Sequence, residues 1–169
     1  HDIRRSGITE ESLETPLVER WRYLPAHTPC PAWPAPAKAD YWNSVPNINP
    51  MVTYDRVYHV VVAGGMVYFG SSADDKIYAL DAATGIEQWS FFTGGPVRTA
   101  PTVYEGKVYA GSDDGRIYCL DAADGELLWT YCPAPAARLV PGNGRIISVV
   151  PVRTGVAVDA GVVYFCAGL

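Results

Sequence analysis

Val108-Tyr-Ala-Gly-Ser-Asp-Asp-Gly-Arg-Ile-Tyr-Cys-Leu-Asp-Ala-Ala-Asp-Gly-Glu-Leu-Leu-Trp129 repeats, almost residue for residue, the stretch Val67-Tyr-Phe-Gly-Ser-Ser-Ala-Asp-Asp-Lys-Ile-Tyr-Ala-Leu-Asp-Ala-Ala-Thr-Gly-Ile-Glu-Gln-Trp89. Gly65 to Gly106 is 41 residues and Trp89 to Trp129 is 40, because Ala73 is one extra residue in the first copy. A third copy opens with Pro151-Val-Arg-Thr154, matching Pro96-Val-Arg-Thr99, and runs to Gly161-Val-Val-Tyr-Phe165. Leu169 comes before its Leu-Asp turn or its Trp.

Within each copy, Val67–Phe69 and Ile77–Leu80 alternate with the two-residue period of strands and are rich in β-branched and aromatic residues. Gly64-Gly65 and Glu105-Gly106 predict tight turns between first and second strands. Asp81 to Gly85 and Asp121 to Gly125 predict turns between third and fourth, where Asp caps free amides and Gly takes a positive φ. A four-stranded unit of about 40 residues predicts a propeller blade. The fold class is therefore all-β, with about two and a half blades. Composition agrees, since 16 Gly, 14 Pro and 11 Tyr in 169 residues favour short strands and turns over long helices.

Burying an indole removes about 150–250 Å² from water, roughly 4–6 kcal/mol gross at about 25 cal/mol per Å². A lone blade cannot hide that surface, so Trp89 and Trp129 read as packing between blades. Trp21, within Pro16–Tyr23, resembles an isolated outer strand bearing its own Trp. The expected organisation is an amino-terminal segment 1–23 whose outer strand completes a blade, a Pro- and aromatic-rich insertion 24–54, a blade 55–95, a blade with trailing insertion 96–150, and the start of a third blade 151–169.

The pattern V-Y-x-G-S-x-D-G-x-I-Y-x-L-D-A-x-x-G-E-x-x-W resembles the repeat of pyrroloquinoline-quinone (PQQ) enzymes. That family holds quinoprotein dehydrogenases and also BamB-like outer-membrane assembly scaffolds, which share the blade and bind no quinone. The resemblance implies seven or eight blades in a ring, so remaining blades would come from further residues or another chain. It also implies an extracytoplasmic, periplasmic address. The dehydrogenases carry adjacent cysteines over the cofactor and an acidic calcium site with a catalytic Asp. Cys30, Cys119, Cys132 and Cys166 include no adjacent pair.

A formal charge of −5 with scattered Lys and Arg disfavours a nucleic-acid partner. No apolar run reaches the roughly 18 residues of a membrane span. The cysteine spacing offers no metal site and reads as buried or free thiols. The opening residue, His1, reads as that of a processed or cut polypeptide.

Trp89 to Val97 spans 8 positions, Trp129 to Val152 spans 23, and Trp21 to Arg56 spans 35, so the two longer links carry 15 and 27 additional residues. Because strands alternate in direction, both insertions are expected on one face, with the turns between second and third strands. Such loading often marks a binding side. The longer insertion, with Pro25, Pro29, Pro31, Pro34, Pro36, Trp33, Tyr41 and Trp42, reads as a stiff strap packed on the propeller, with an ordered lid or partner-docking arm as the alternative. Pro141-Gly-Asn-Gly144 lacks the context of a dinucleotide site and reads as a turn.

Asp74-Asp75 and Asp113-Asp114 lie on that face too. Two carboxylates could contribute to Ca²⁺, which takes six to eight oxygens, but at a repeated turn they read as solvated residues. Arg98 and Arg153 begin the inner strands near the mouth of a central channel and are the candidates for ligand contact, since Arg pairs bidentately with carboxylate or phosphate, although structural pairing with a neighbouring blade fits them better. His59 replaces Ala100 and Gly155 of the other copies and is a third candidate ligand contact, although a structural role fits it better. No residue is singled out as catalytic, no metal ligand is identified, and no cofactor is expected. The leading expectation is a non-catalytic scaffold or partner-binding module. The alternatives are the propeller of a PQQ- and Ca²⁺-dependent oxidoreductase, or a sensor domain fused to a catalytic module.

Overall fold

A computed structural model describes residues 12, 15–32, 55–142 and 144–168 of the chain. These residues form twelve strands, and every pairing is antiparallel. Blade 1 consists of β1 (Val60–Ala63), β2 (Met66–Ser71), β3 (Lys76–Asp81) and β4 (Glu87–Phe92), in sequential order. Blade 2 repeats it with β5 (Thr102–Tyr104), β6 (Lys107–Gly111), β7 (Ile117–Asp121) and β8 (Leu127–Tyr131). A separate hairpin, β9 (Leu139–Gly142) with β10 (Arg145–Ser148), precedes the third repeat, which contributes β11 (Ala157–Asp159) and β12 (Val162–Tyr164).

The same chemistry makes each hairpin. Both central residues of the first turn have positive φ in every repeat: Gly64 57° and Gly65 77°, Glu105 46° and Gly106 71°, Ala160 47° and Gly161 78°. This is the turn whose twist matches two-residue hairpins. In the third turn, Asp81 Oδ1 accepts the amides of Ala83 at 3.0 Å and Thr84 at 2.8 Å. Asp121 Oδ1 accepts that of Ala123 at 2.8 Å. Register is repeated too, pairing Val67 with Leu80 and Val108 with Leu120, and the ladder shifts after Ala79 and after Cys119.

The core lies between sheets. Tyr68, Ala79 and Trp89 of blade 1 pack against Val97, Val108, Ala110 and Leu120 at the front of blade 2. Tyr109 and Cys119 meet Val152, Val156 and Val158 in the same way. Close approach requires small residues: a Cβ on Gly70 would stand 2.2 Å from Val97, and one on Gly111 2.4 Å from Val152.

Trp89 locks one blade to the next. Its Nε1 donates to the carbonyl of Ala122 at 3.1 Å, and its ring covers Gly125, where a Cβ would fall 2.7 Å away. Trp21 does the same to blade 1, donating to Ala82 at 3.0 Å and covering Gly85. The chain around it, residues 17–25, belongs to no ladder among the described residues. Trp129 tilts against Tyr109 at 6.0 Å but remains 39% exposed. Beside it, β12 pairs only with β11 among the described residues, and Val162 and Tyr164 are exposed.

Candidate functional site

The turn between β2 and β3, residues 72–75, is where the two insertions meet. From the amino-terminal side, Cys30 donates its amide to Ser72 Oγ at 2.9 Å, and His27 Nδ1 lies 2.9 Å from Asp74 Oδ1. Tyr58 supports this strap from below, its hydroxyl donating to the His27 carbonyl at 2.8 Å. From the other side, Arg145 at the start of β10 donates Nη1 to Asp75 Oδ2 at 2.7 Å and Nη2 to the Ala73 carbonyl. Residues 33–54 of the longer insertion, with Pro34, Pro36, Trp33, Tyr41 and Trp42, lie outside the described residues.

Next to this turn sits a buried chain of opposite charges. Arg98 donates Nε to Asp113 Oδ2 at 2.7 Å and Nη1 to Asp55 Oδ2 at 2.6 Å. Its Nη1 also reaches the Cys30 carbonyl at 2.7 Å, while the Ala32 amide donates to Asp55 Oδ2 at 2.8 Å. Strap backbone thereby fills hydrogen-bonding positions around Arg98 and Asp55. Arg153 closes the other end, with Nε 2.8 Å from Asp113 Oδ1 and Nη2 2.9 Å from Oδ2. Burial opposes the charge on Arg98, yet Asp113 and Asp55 outweigh it and raise its pKa.

The structure thus brings Arg98 and Arg153 together on one carboxylate, which the sequence does not reveal. It corrects the expectation that the paired acids are solvated turn residues. Asp113 is 0% exposed, because a carboxylate holding two guanidinium groups is worth desolvating where a lone one is not. Asp74 is turned inward as well, accepting Ser71 Oγ at 2.9 Å and Tyr78 Oη at 3.3 Å. Burial acts against its charge, but the hydrogen bonds from His27, Ser71 and Tyr78 prevail and lower its pKa. Burial raises that of Asp75 despite Arg145 and Arg98. Oδ1 of Asp55 and Oδ1 of Asp75 are buried without a hydrogen-bond partner among the described residues. His59 is half-buried, one residue before β1.

The Pro141–Gly144 run read as a turn proves to be the tip of the β9–β10 hairpin, which buries Ile147 and exposes Leu139 and Ile146. Alternating apolar residues on either side of the tip carried that signal. All four cysteines are free thiols. Among the described residues, no group of three or more His, Cys, Asp or Glu could hold a metal ion, and no helix is long and apolar enough to cross a membrane. No catalytic or cofactor constellation is evident there.

The sequence profile of the family described as outer membrane protein assembly factor BamB matches residues 38–165. No curated protein sequence matches the chain. Among solved structures, the quinohemoprotein alcohol dehydrogenase of Comamonas testosteroni is 25% identical over 65% of this chain and 17% of its own, with a TM-score of 0.53. Quinohemoprotein alcohol dehydrogenase ADHIIG of Pseudomonas putida HK5 is 23% identical over 64% of this chain and 16% of its own, also at 0.53. BamB of Moraxella catarrhalis is 20% identical over 66% of this chain and 42% of its own, at 0.43. The chain therefore spans less than a fifth of either dehydrogenase and under half of that BamB.

Proposed function

The chain belongs to the family described as outer membrane protein assembly factor BamB, and from that membership we propose that it is a non-catalytic propeller module, outside the cytoplasm, that binds a protein partner on its insertion-bearing face. The observation that carries this reading is the convergence of both insertions on residues 72–75, with Leu139 and Ile146 of the anchored hairpin 57% and 58% exposed. Apolar side chains held outward on a pinned hairpin suit a protein surface better than a small polar ligand. Further blades, from the same polypeptide or another chain, complete the propeller.

Photo-crosslinking residues placed at Leu139 and Ile146, and for contrast at Asp124 in the turn between β7 and β8 at the other end of the strands, test it in the periplasm of a producing cell. A discrete protein adduct from the first two positions and none from Asp124 is expected. Equal labelling from all three would reject the assignment of the face.

The second reading, the propeller of a quinoprotein dehydrogenase, draws on the fold shared with the Comamonas testosteroni enzyme. The described residues do not fit it. Arg98 and Arg153 are committed to Asp113 and Asp55, strap backbone lies against Arg98, and the acids form no group able to hold Ca²⁺. Titration with PQQ and Ca²⁺, followed by absorbance and dye-linked alcohol oxidation, separates the readings. Saturable quinone binding with turnover would sink the first.

A further inference from the structure

The two ends of the strands carry opposite charge. Over residues 55–168, the end with the Asp81 and Asp121 turns holds Lys107 against Asp81, Glu87, Glu105, Asp121, Asp124, Glu126 and Asp159, one cation to seven acids. The insertion-bearing end holds seven cations to five acids, a formal +2 against −6. Those five acids are all engaged within the chain. Asp55, Asp75 and Asp113 hold Arg98, Arg145 and Arg153. Asp74 accepts Ser71 and Tyr78 and faces His27. Asp114 accepts the amides of Gly94 at 3.0 Å and Arg116 at 2.9 Å, together with the Tyr118 hydroxyl.

The charge left over at that end is basic. Arg56, Lys76, Arg116 and Arg138 make no ion pair among the described residues. Arg138 is exposed one residue before β9. Arg116 follows Gly115, on which a Cβ would fall 2.5 Å from Ser148 Oγ at the end of β10. From Leu127 to Val158 the chain has no Asp or Glu, so the hairpin's own segment offers these cations no carboxylate. Between them lies an apolar strip. Register sets Leu139 opposite Ser148 and Pro141 opposite Ile146, which puts Leu139, Pro141 and Ile146, all exposed, on one face of the hairpin. Ile147 is buried on the other.

We propose that the partner of this face is an acidic protein surface, which lays apolar side chains on Leu139, Pro141 and Ile146 and surrounds them with Asp and Glu that meet Arg138 and Arg116. Such a partner is attracted to the insertion-bearing end and repelled by the opposite one, so charge selects the face before contact is made. The inference rests on the partner-binding role proposed above and adds the chemistry of the partner. A bilayer fits less well, because the tip sequence Gly142-Asn-Gly144 has no apolar side chain to enter lipid. Nucleic acid also fits less well, because residues 133–158 include no aromatic to stack on a base and their three arginines form no stripe.

The test adds charge variants to the photo-crosslinking from Leu139 and Ile146. Arg116→Glu with Arg138→Glu should lower adduct yield about tenfold through like-charge contact, Arg138→Gln about threefold through a lost exposed pair, and Arg138→Lys should restore the yield. Raising salt from about 0.1 to 1 M, which shortens screening from about 10 to 3 Å, should lower the yield of the unchanged chain in periplasmic extract. Mass spectrometry should place the crosslink in a partner segment rich in Asp and Glu. An adduct indifferent to both salt and charge reversal, or one mapped to a basic segment, overturns the inference and leaves the partner-binding role standing. No adduct from the unchanged chain removes both. Adducts to phospholipid would replace the protein with a membrane surface. A urea transition unchanged in the variants separates lost docking from lost folding, and Arg138→Gln decides the matter if the double reversal unfolds.

Discussion

Arg153 grips Asp113 with two nitrogens, Nε to Oδ1 at 2.8 Å and Nη2 to Oδ2 at 2.9 Å, although the two residues belong to successive repeats. Asp113 also receives Arg98 of its own repeat, and Arg98 in turn holds Asp55, at the start of blade 1. Four charged residues thus tie three repeats together.

Removing the carboxylate takes a buried partner from two cations in a dry setting. Asp113→Ala is expected to lower unfolding free energy by about 3–5 kcal/mol, read as the shift of a urea transition. Arg153→Met should cost distinctly less, since Arg98 continues to satisfy Asp113. Equal losses for the two variants would show that the pairs do not act as one network.

Two turn glycines, one open and one under an indole, separate backbone strain from contact. Gly106 has φ 71° and nothing within 4 Å of an added Cβ, so Gly106→Ala should cost about 1–2 kcal/mol, the penalty of a left-handed alanine. Gly125 has φ 77° and Trp89 at 2.7 Å, so Gly125→Ala should cost about 1–3 kcal/mol more through overpacking. Urea denaturation of the two variants measures the difference.

Alkaline pH should loosen the interface between blade 2 and the third repeat. Burial first, then the neighbouring Cys119, pushes the Tyr109 hydroxyl up to about 12. A raised folded value means its contribution is fully present below the ordinary value of 10.0 and lost as pH climbs through about 12. Absorbance at the tyrosinate band should therefore show a delayed ionisation step. Tyr109→Phe should remove that step, and with it part of the alkaline instability.

The two insertions are held by exposed or half-exposed pairs, which contribute little to global stability. His27→Ala and Arg145→Ala should each leave the thermal midpoint within about 2–4 °C, the shift expected from roughly 1 kcal/mol or less. Amide hydrogen exchange should nevertheless rise locally, at Cys30 and Ala32 for the first variant and at Ile146 and Ile147 for the second. Unchanged exchange would mean that other contacts fix the strap and the hairpin.

The blades were legible because their determinants are local: alternation in Val67–Phe69, the Asp81–Gly85 turn and Trp89 follow one another at fixed spacing. The buried charges were not. Arg98 finds Asp55 43 positions away and the Cys30 carbonyl 68 away, separations that no periodicity records. Asp113 was hidden by its company, since beside Asp114 in a repeated turn it looks solvated. The available clue was the mismatch with Ser72 in the other copy. The β9–β10 hairpin escaped for another reason, because Pro141 cannot donate to a ladder and reads as a breaker.

One consequence lies in the carbonyl of Ala122, which takes both its donors, Trp89 and Tyr68, from the blade before it and none from the blade after. Such a joint has polarity, like a plug and its socket. Trp21 plugs into blade 1 and Trp89 into blade 2 in the same sense, which gives this stacking a single order. No blade needs to be first. A circular permutation that opened the link between Phe92 and Thr102 and joined the termini elsewhere would keep every plug opposite its own socket.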